Sequence, residues 1–252
     1  MRWVCVVPVK GNASAKSRLS ALPETFPARG ELAEAFALDT VAALLAAEMV
    51  QKVLVVTADP AAAAPLEALG AQIVPELPHP SASDAGTGAC AATRKTGAAE
   101  LPQNSPSGPA KGNCAAPRDP LNAAIGEGIR VAHEQYPLCS VAVLTGDLPA
   151  LTVADVESTL TAAAAHDLAM VADEEGTGTT TLLARAGITL TPRFGPGSRA
   201  AHEAAGHVPL ELPATASIRR DVDTVDNLAE VLRRGVGAHT SALIARSQQE
   251  SG

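Results

Sequence analysis

The run SVAVLTGDLPAL at residues 140–151 is the feature that most constrains the fold of this chain. A continuous apolar stretch ends abruptly in Gly146, Asp147, Leu148 and Pro149, and a helix signal begins directly afterwards. Strands of a parallel sheet that are buried on both faces are continuous apolar runs, and ligands bind at their carboxyl ends. Asp147 is therefore expected at the sheet edge where α/β proteins carry their chemistry.

Apolar, strand-like runs alternate along the chain with helical stretches that are rich in alanine and leucine. Strands are predicted at residues 3–7, 53–57, 72–74, 141–145 and 168–172. Helices are predicted at residues 30–46, 61–69, 122–133, 153–164 and 225–234. This alternation is typical of βαβ units, so we expect an α/β fold with a mainly parallel sheet and helices on both faces.

The charge balance and the cysteines exclude several classes of protein. A formal net charge of -8 and a pI near 5.2 lack the basic footprint that a nucleic-acid partner requires. No apolar run is long enough to span a bilayer, so no membrane partner is expected. The four cysteines show no paired metal-binding spacing, and the N-terminus begins as a strand without a signal-peptide pattern. A reduced, cytoplasmic setting is the expectation.

Residues 79–118 differ in kind from the rest, because they are dense in Pro, Gly, Ser, Ala and Thr and nearly free of large apolar side chains. Such a segment cannot bury enough surface to offset the entropy of ordering it. We predict a disordered insertion in a single domain that spans residues 1–240. A lid that orders over a ligand is the alternative. Residues 241–252 are predicted to form a flexible tail.

Three cations, Lys10, Lys16 and Arg18, lie in the loop that follows the first strand. Backbone N–H groups in a loop of small residues can cradle a polyphosphate while such cations neutralise its charge. The spacing fits neither a Walker loop nor G-x-G-x-x-G. The alternative is a solvated basic loop with no ligand.

A second acidic position, Asp221 and Asp223, precedes the last predicted helix. Carboxylates together with phosphate oxygens and water form the usual environment of magnesium. We expect the two side chains to leave an extended segment on opposite faces, so that only one of them faces Asp147. The alternative is helix capping, because Thr224 is a good N-cap and acids near a helix start interact favourably with its dipole.

Two loops, at residues 176–180 and 194–199, combine glycines with hydroxyl side chains that can donate hydrogen bonds to a small anion. Ser198 is expected to cap a helix that runs through Ala205, which would place an anion site at its N-terminus. Ordinary turn chemistry is the alternative for each loop. The six histidines show no H-E-x-x-H or comparable metal spacing, and no Ser–His–Asp set stands out.

Taken in order, these motifs resemble those of the guanylyltransferases that activate phosphoenolpyruvate or 2-phospho-L-lactate in the biosynthesis of coenzyme F420. The motifs that carry the resemblance are Pro8-x-Lys10, Ala15-Lys16-Ser17-Arg18-Leu19, Leu121-Asn122-Ala123-Ala124, Thr145-Gly-Asp-Leu-Pro149, Gly176-Thr-Gly-Thr179, Phe194-Gly-Pro-Gly-Ser198 and Asp221-Val-Asp-Thr224. The resemblance covers nearly the whole chain apart from residues 79–118 and the tail. That insertion is expected to be a departure, since the family usually connects these elements more briefly.

The resemblance implies the three-layer α/β/α fold of nucleotidyltransferases that are similar to GT-A glycosyltransferases, which is Rossmann-like with a mainly parallel mixed sheet. It also implies Mg2+ on Asp147 and on one of the Asp221 and Asp223 pair, with Asp223 the first choice because it precedes Thr224. The triphosphate of GTP would be bound by Lys10, Lys16 and Arg18, and Asn122 would lie near the nucleotide. Lys16, Asp147 and Asp223 are expected to be the catalytic residues.

The same resemblance implies that Thr179 or Thr180, Gly195 and Ser198 receive the phosphate or carboxylate of the three-carbon acid. The repeated threonines leave that assignment open by one residue. Three rival interpretations remain at this point: a cytidylyl or molybdopterin nucleotidyltransferase of the same fold, a glycosyltransferase with a D-x-D motif, and a non-catalytic nucleotide-sensing module. A homodimer is among the assemblies left open.

Overall fold

The computed structural model describes residues 1–10, 19, 22–23, 26–76 and 119–250 of the chain. The predicted insertion, Lys16 and Arg18 lie outside the described residues. The strands within them are β1 (Trp3–Pro8), β2 (Val50–Thr57), β3 (Gln72–Pro75), β4 (Ser140–Leu144), β5 (Leu168–Ala172), β6 (Thr179–Ala184) and β7 (Val208–Pro209).

These seven strands form one sheet in the order β3-β2-β1-β4-β6-β5-β7. All neighbouring pairs are parallel except those of β6, which runs antiparallel to both β4 and β5. The prediction of a mixed, mainly parallel sheet is confirmed. Strand β6 itself was not among the predicted strands, because its first residues, Thr179 to Thr181, extend a glycine- and threonine-rich stretch that is typical of a loop.

Helices cover both faces of the sheet, as the alternation of sequence patterns predicts. They are α1 (Arg29–Ala46), α2 (Pro60–Ala68), α3 (Pro120–Gln135), α4 (Val153–Ala163), α5 (Ser198–Ala204), α6 (Val225–Arg234) and α7 (Ala238–Glu250), with a 3-10 turn at Ser217–Arg219. No helix in the described part of the chain is both long enough and apolar enough to cross a membrane.

The alternation of side chains along β1 shows how the three layers are held together. Cys5 and Val7 face a cluster formed with α1, α2 and α4, whereas Val4 and Val6 face a cluster formed with α3. All four side chains are fully buried, as expected for a central strand whose successive residues point to opposite faces. A third cluster packs the outer side of α1 against α6 and α7, with Phe36 fully buried within it.

The C-terminal segment is a helix and not the flexible tail that we expected. Helix α7 packs on α1, and the buried carboxylate of Asp39 on α1 accepts the backbone N–H groups of His239 and Thr240 at 2.8 and 2.9 Å. These N–H groups belong to the first turn of α7 and have no partner inside the helix. The cap comes from a residue 200 positions earlier in the chain, so no local sequence pattern predicts it.

Candidate active site

A cavity of about 630 Å³ opens at one edge of the sheet, where β1, β4 and β5 end and β6 begins. Its polar lining comes from segments that are distant in the sequence, as is usual for ligand sites at the carboxyl ends of strands. The lining includes Lys10, Thr145, Gly146, Asp147, Asp173, Thr177, Gly178, Thr179, Gly195, Ser198, Asp221 and Asp223. Most of the predicted site residues within the described part of the chain therefore meet in one place.

Three carboxylates of this cavity form a compact acidic cluster. One oxygen from each of Asp147, Asp221 and Asp223 lies within 4.8 Å of the others, and all three residues are half-buried. The expectation that only one of the Asp221 and Asp223 pair faces Asp147 was wrong. Residues two apart in an extended segment share a face, and the intervening Val222 points into the core, where it is fully buried.

The donor set of this cluster fits a divalent cation. Carboxylate oxygens are the hard ligands that Mg2+ and Ca2+ prefer. One oxygen from each of the three carboxylates lies within 4.8 Å of the others, a spacing that allows one cation to contact all three.

The turn that carries Asp147 is fixed to helix α1. The N–H of Leu148 donates to the hydroxyl of Thr40 at 3.1 Å, and that hydroxyl donates to the carbonyl oxygen of Phe36 at 2.8 Å. Thr40 and Leu148 are both fully buried. The position of the acidic turn thus depends on a hydroxyl group in the middle of a helix on one face of the sheet.

Lys10 is exposed at the rim of the cavity, directly after β1. It is the described member of the predicted triphosphate loop, and its position is compatible with that role. Contacts of the loop with a nucleotide stay predictions.

Asn122 binds the backbone of the loop at residues 194–198. Its side-chain amide forms two hydrogen bonds with the backbone of Phe194, accepting from the N–H at 2.8 Å and donating to the carbonyl at 2.9 Å. It does not line the cavity, although Leu121 and Ile125 on the same helix do. Asn122 therefore anchors the loop at residues 194–198 to α3, and its contact with a nucleotide stays a prediction.

The anchored loop brings Gly195 and Ser198 to the cavity. Gly195 and Gly197 have φ angles of 134° and 72°, which L side chains rarely adopt, so glycine is required at both positions. Gly197 is the N-cap of α5 and Ser198 is its first residue, which corrects the expectation that Ser198 is the cap. Ser198 is buried and lines the cavity.

The structure distinguishes between the two candidate threonines of β6. Between β5 and β6 the pairing passes from Val171↔Thr181 to Ala172↔Thr179, so Thr180 is the extra residue of a bulge. The Thr180 hydroxyl donates to the carbonyl oxygen of Ile218 at 2.7 Å and is not part of the lining. Thr179 is the threonine at the cavity.

Sequence reasoning missed Asp173, which directly follows β5. Its carboxylate accepts the N–H groups of Thr177 at 2.9 Å and Gly178 at 2.7 Å, and so closes the turn that precedes Thr179. A β-carbon at Gly178 would lie 2.4 Å from the Asp173 carboxylate, which explains the glycine. The available signal was an aspartate directly after an apolar strand.

Sequence reasoning also missed His202, which lies on α5 directly behind Thr179. Its Nδ1 atom is 3.0 Å from the Thr179 hydroxyl, its Nε2 atom is 3.0 Å from the N–H of Arg193, and its side chain is fully buried. Burial lowers the pKa of His202 to about 4, and the charges of His207 and Arg193 act in the same direction. No spacing in the sequence marks this histidine.

Comparison with known proteins identifies relatives over nearly the whole chain. The chain is 45% identical over 246 residues to the phosphoenolpyruvate guanylyltransferase of Streptomyces scabiei, covering 98% of this chain and 97% of that protein. The protein of the same name from Streptomyces coelicolor is 40% identical with the same coverage. Such coverage of both chains means that their lengths are similar. The expectation that the long segment before Asn122 sets this chain apart from its family is therefore not supported by these relatives.

A solved structure supports the fold. A protein from Desulfovibrio desulfuricans G20, whose description places it among nucleotide-diphospho-sugar transferases, matches with a TM-score of 0.60 and 15% identity. The match covers 99% of this chain and 96% of that one. No protein-family model matches the chain. The near full-length relatives show that the chain belongs to the phosphoenolpyruvate guanylyltransferase family and is a nucleotidyltransferase.

Proposed function

We propose that this enzyme transfers the guanylyl group of GTP to the phosphate of phosphoenolpyruvate and releases pyrophosphate. The observation that carries the proposal is the position of the acidic cluster of Asp147, Asp221 and Asp223 in the same cavity as Thr179 and Ser198. This arrangement supports the proposal, because it brings candidate cation ligands and candidate hydrogen-bond donors for an organic acid into one cavity. A nucleotidyltransferase that joins two anions needs both.

The acidic cluster is the proposed site of Mg2+. When bound there, the ion would neutralise charge on the reacting phosphates and stabilise charge that develops in the transition state. Asp147 is held by the buried turn at Leu148, and Asp221 and Asp223 are held on either side of the buried Val222. These anchors keep the three carboxylates close together.

The cationic side of the cavity is proposed to bind the triphosphate. Lys10 lies at the rim beside the acidic turn, and Lys16 and Arg18 follow it closely in the sequence. These cations would reduce the repulsion between GTP and an acid that is itself anionic.

In the proposed reaction an oxygen of the acid's phosphate attacks the α-phosphorus of GTP in line. A bond forms between that oxygen and the α-phosphorus, and the bond from the α-phosphorus to the oxygen bridging to the β-phosphorus breaks. Pyrophosphate leaves with the bonding electron pair. The attacking oxygen is already ionised near neutral pH, so the chain needs no general base. Positioning and charge neutralisation are what the enzyme has to supply.

The acceptor is proposed to be phosphoenolpyruvate and not 2-phospho-L-lactate. Support comes from relatives at 35–45% identity, which are named phosphoenolpyruvate guanylyltransferase. The product would serve the biosynthesis of coenzyme F420, as the motif resemblance implies. The Thr179 hydroxyl and the Gly195 to Ser198 turn are the proposed contacts of the acid, since both line the cavity.

Pyrophosphate release tests the proposal directly. The enzyme with Mg2+ is given each of the four nucleoside triphosphates, with phosphoenolpyruvate and 2-phospho-L-lactate in separate reactions. We expect release that requires GTP and phosphoenolpyruvate together, and a product that contains guanylate and the intact acid. Release with CTP in place of GTP would indicate a cytidylyltransferase. Release that requires 2-phospho-L-lactate would reassign the acceptor.

A further inference from the structure

The imidazole of His202 connects the two polypeptide segments that form the proposed acid pocket. Its Nδ1 atom lies 3.0 Å from the hydroxyl oxygen of Thr179 at the start of β6. Its Nε2 atom lies 3.0 Å from the N–H of Arg193, the residue that precedes the loop at residues 194–198. The ring is fully buried and does not line the cavity, so it can act only through these neighbours.

The hydrogen bond from Arg193 fixes the tautomer of this ring. A peptide N–H can only donate, so the Nε2 atom of His202 accepts and carries no proton. The single proton of the neutral imidazole is then on Nδ1, where it donates to the Thr179 hydroxyl oxygen. A second proton on Nε2 would break the bond from Arg193, and burial lowers the pKa of His202 to about 4, which agrees with a neutral ring.

The tautomer of His202 determines in which direction the Thr179 hydroxyl donates its hydrogen bond. Its hydroxyl oxygen accepts from His202 on the buried side, and a hydroxyl carries one proton to donate. That proton is left for a partner on the other side, where Thr179 lines the cavity. Thr179 is thereby prepared to meet an acceptor such as a carboxylate or phosphate oxygen.

We propose that His202 is a positioning residue that directs the Thr179 hydroxyl proton towards the acid bound in the cavity, an inference that rests on the proposed function. The same ring sets the distance between β6 and the loop, because it contacts Phe194 edge-on with ring centroids 5.3 Å apart. One buried side chain thus orients a donor on one wall of the pocket and supports the opposite wall.

Two amide substitutions separate these roles. His202→Gln places its amide near the former Nε2 position, so it can accept from Arg193 and loses the donor to Thr179. His202→Asn places its amide near the former Nδ1 position and can keep that donor. We expect His202→Gln to raise the KM for the acid about tenfold, the effect of losing one hydrogen bond to an anion. His202→Asn should raise it less, and the KM for GTP should change less than twofold in both.

A double-mutant comparison with Thr179 tests whether His202 acts by orienting the Thr179 hydroxyl or only by stabilising the fold. Thr179→Val removes the hydroxyl, and in that background His202→Gln should add no further increase in the KM for the acid. His207→Gln is the matched control, since His207 is buried beside His202 and has no hydrogen bond to Thr179 among those described. It should lower the melting temperature as His202→Gln does and leave the KM for the acid near its wild-type value.

The outcomes discriminate between the two proposals. A wild-type enzyme that releases no pyrophosphate with any acid overturns the proposed function and with it the ligand that this inference names. An active enzyme in which His202→Gln raises both KM values equally, or raises the KM for the acid as much in the Thr179→Val background, overturns the role of His202 alone. Long-range 1H–15N spectra of the wild-type rings give a check that needs no variant. They should show the Nδ1–H tautomer for His202, and an Nε2–H tautomer would contradict the proposal.

Discussion

The N–H of Val222 donates a hydrogen bond of 3.1 Å to the carbonyl oxygen of Asp147. This bond joins the turn after β4 to the segment before α6, and it places Asp221 and Asp223 on either side of the junction. The three acidic side chains are therefore held together by the backbone. Their arrangement should survive changes in the side chains themselves.

Asp147→Asn tests the cation site with little change in shape. The amide keeps the volume of the side chain and loses its charge, and the Val222 bond to the backbone remains. We expect kcat to fall by about 100-fold or more, a typical cost of removing one group that stabilises transition-state charge. The melting temperature should stay nearly constant, because the side-chain volume and the backbone bond from Val222 are both kept. Asp167→Asn, on an exposed side chain paired with Arg185, is the control and should retain activity. An unaltered rate in Asp147→Asn would contradict the metal role.

Ser198→Ala tests the acid pocket. Ser198 is buried at the start of α5 beside two glycines with positive φ, so only its hydroxyl is removed and the turn should persist. The KM for the acid should rise about tenfold, as for one lost hydrogen bond to an anion, with a smaller change for GTP. Ser158→Ala on the exposed surface of α4 provides the comparison. Equal effects on both substrates would move Ser198 out of the acceptor site.

Thr40→Val tests the support beneath the acidic turn. The substitution leaves the N–H of Leu148 buried without its acceptor, which should cost about 1–3 kcal/mol of unfolding free energy. Thr159→Val is a matched control, because Thr159 is fully buried on α4 and its hydroxyl has no hydrogen-bond partner among the described residues. That variant should be neutral or slightly stabilising. Urea unfolding of both proteins measures the difference, and similar losses would argue against a special role for Thr40.

Removal of α7 should destabilise the protein through Asp39. A chain that ends at Val236 would keep the Asp39 carboxylate and lose the two N–H groups that it accepts. Loss of hydrogen bonds to a buried charge costs about 1.5–3 kcal/mol each, so the truncated protein should melt well below the full chain. Asp39→Ala in the truncated chain should recover part of the loss, since the uncompensated carboxylate is gone. Strictly additive effects in this cycle would show that the cap contributes nothing.

The buried histidines should make the protein less stable in mild acid. Burial lowers the pKa of both His202 and His207 from the ordinary value of 6.5, to about 4 for His202. The unfolded chain therefore binds more protons than the folded one below pH 6.5, and stability that is present above pH 6.5 is lost as the pH falls towards 4. Each such group contributes a slope of at most about 1.4 kcal/mol per pH unit. His202→Phe should flatten the dependence between pH 6.5 and 5, as measured by denaturant unfolding at each pH.

Much of the fold could be predicted from local patterns, since β1, β4, β5 and the second half of β2 are mainly apolar runs, and Asp147 lies three residues after β4. Helix α6 begins at its predicted cap, where the Thr224 side chain accepts from the N–H of Asn227. What could not be predicted depends on contacts between distant segments. The cap of α7 by Asp39 and the anchoring of Phe194 by Asn122 both join residues that are far apart in the sequence.

The side-chain directions of Asp221 and Asp223 could have been predicted from the sequence. Both residues were correctly predicted to lie near Asp147, but their side chains were predicted to point to opposite faces. Residues two apart in an extended segment point to the same face. Val222 could have corrected this prediction. A valine between two aspartates indicates that the valine faces the core and that both aspartates face away from it.

The reversal of β6 explains how one edge of the sheet can carry both carboxylates and a hydrogen-bond donor. Parallel strands bring their carboxyl ends to that edge, where Lys10 follows β1, Asp147 follows β4 and Asp173 follows β5. Strand β6 arrives in the opposite direction and brings its amino end, with the closed turn of Asp173 and the hydroxyl of Thr179 in front of it. The edge therefore combines the acidic cluster of Asp147, Asp221 and Asp223 with the hydroxyl group of Thr179 in one cavity. A single inverted strand thus brings a hydrogen-bond donor into the cavity from the direction opposite to that of the parallel strands.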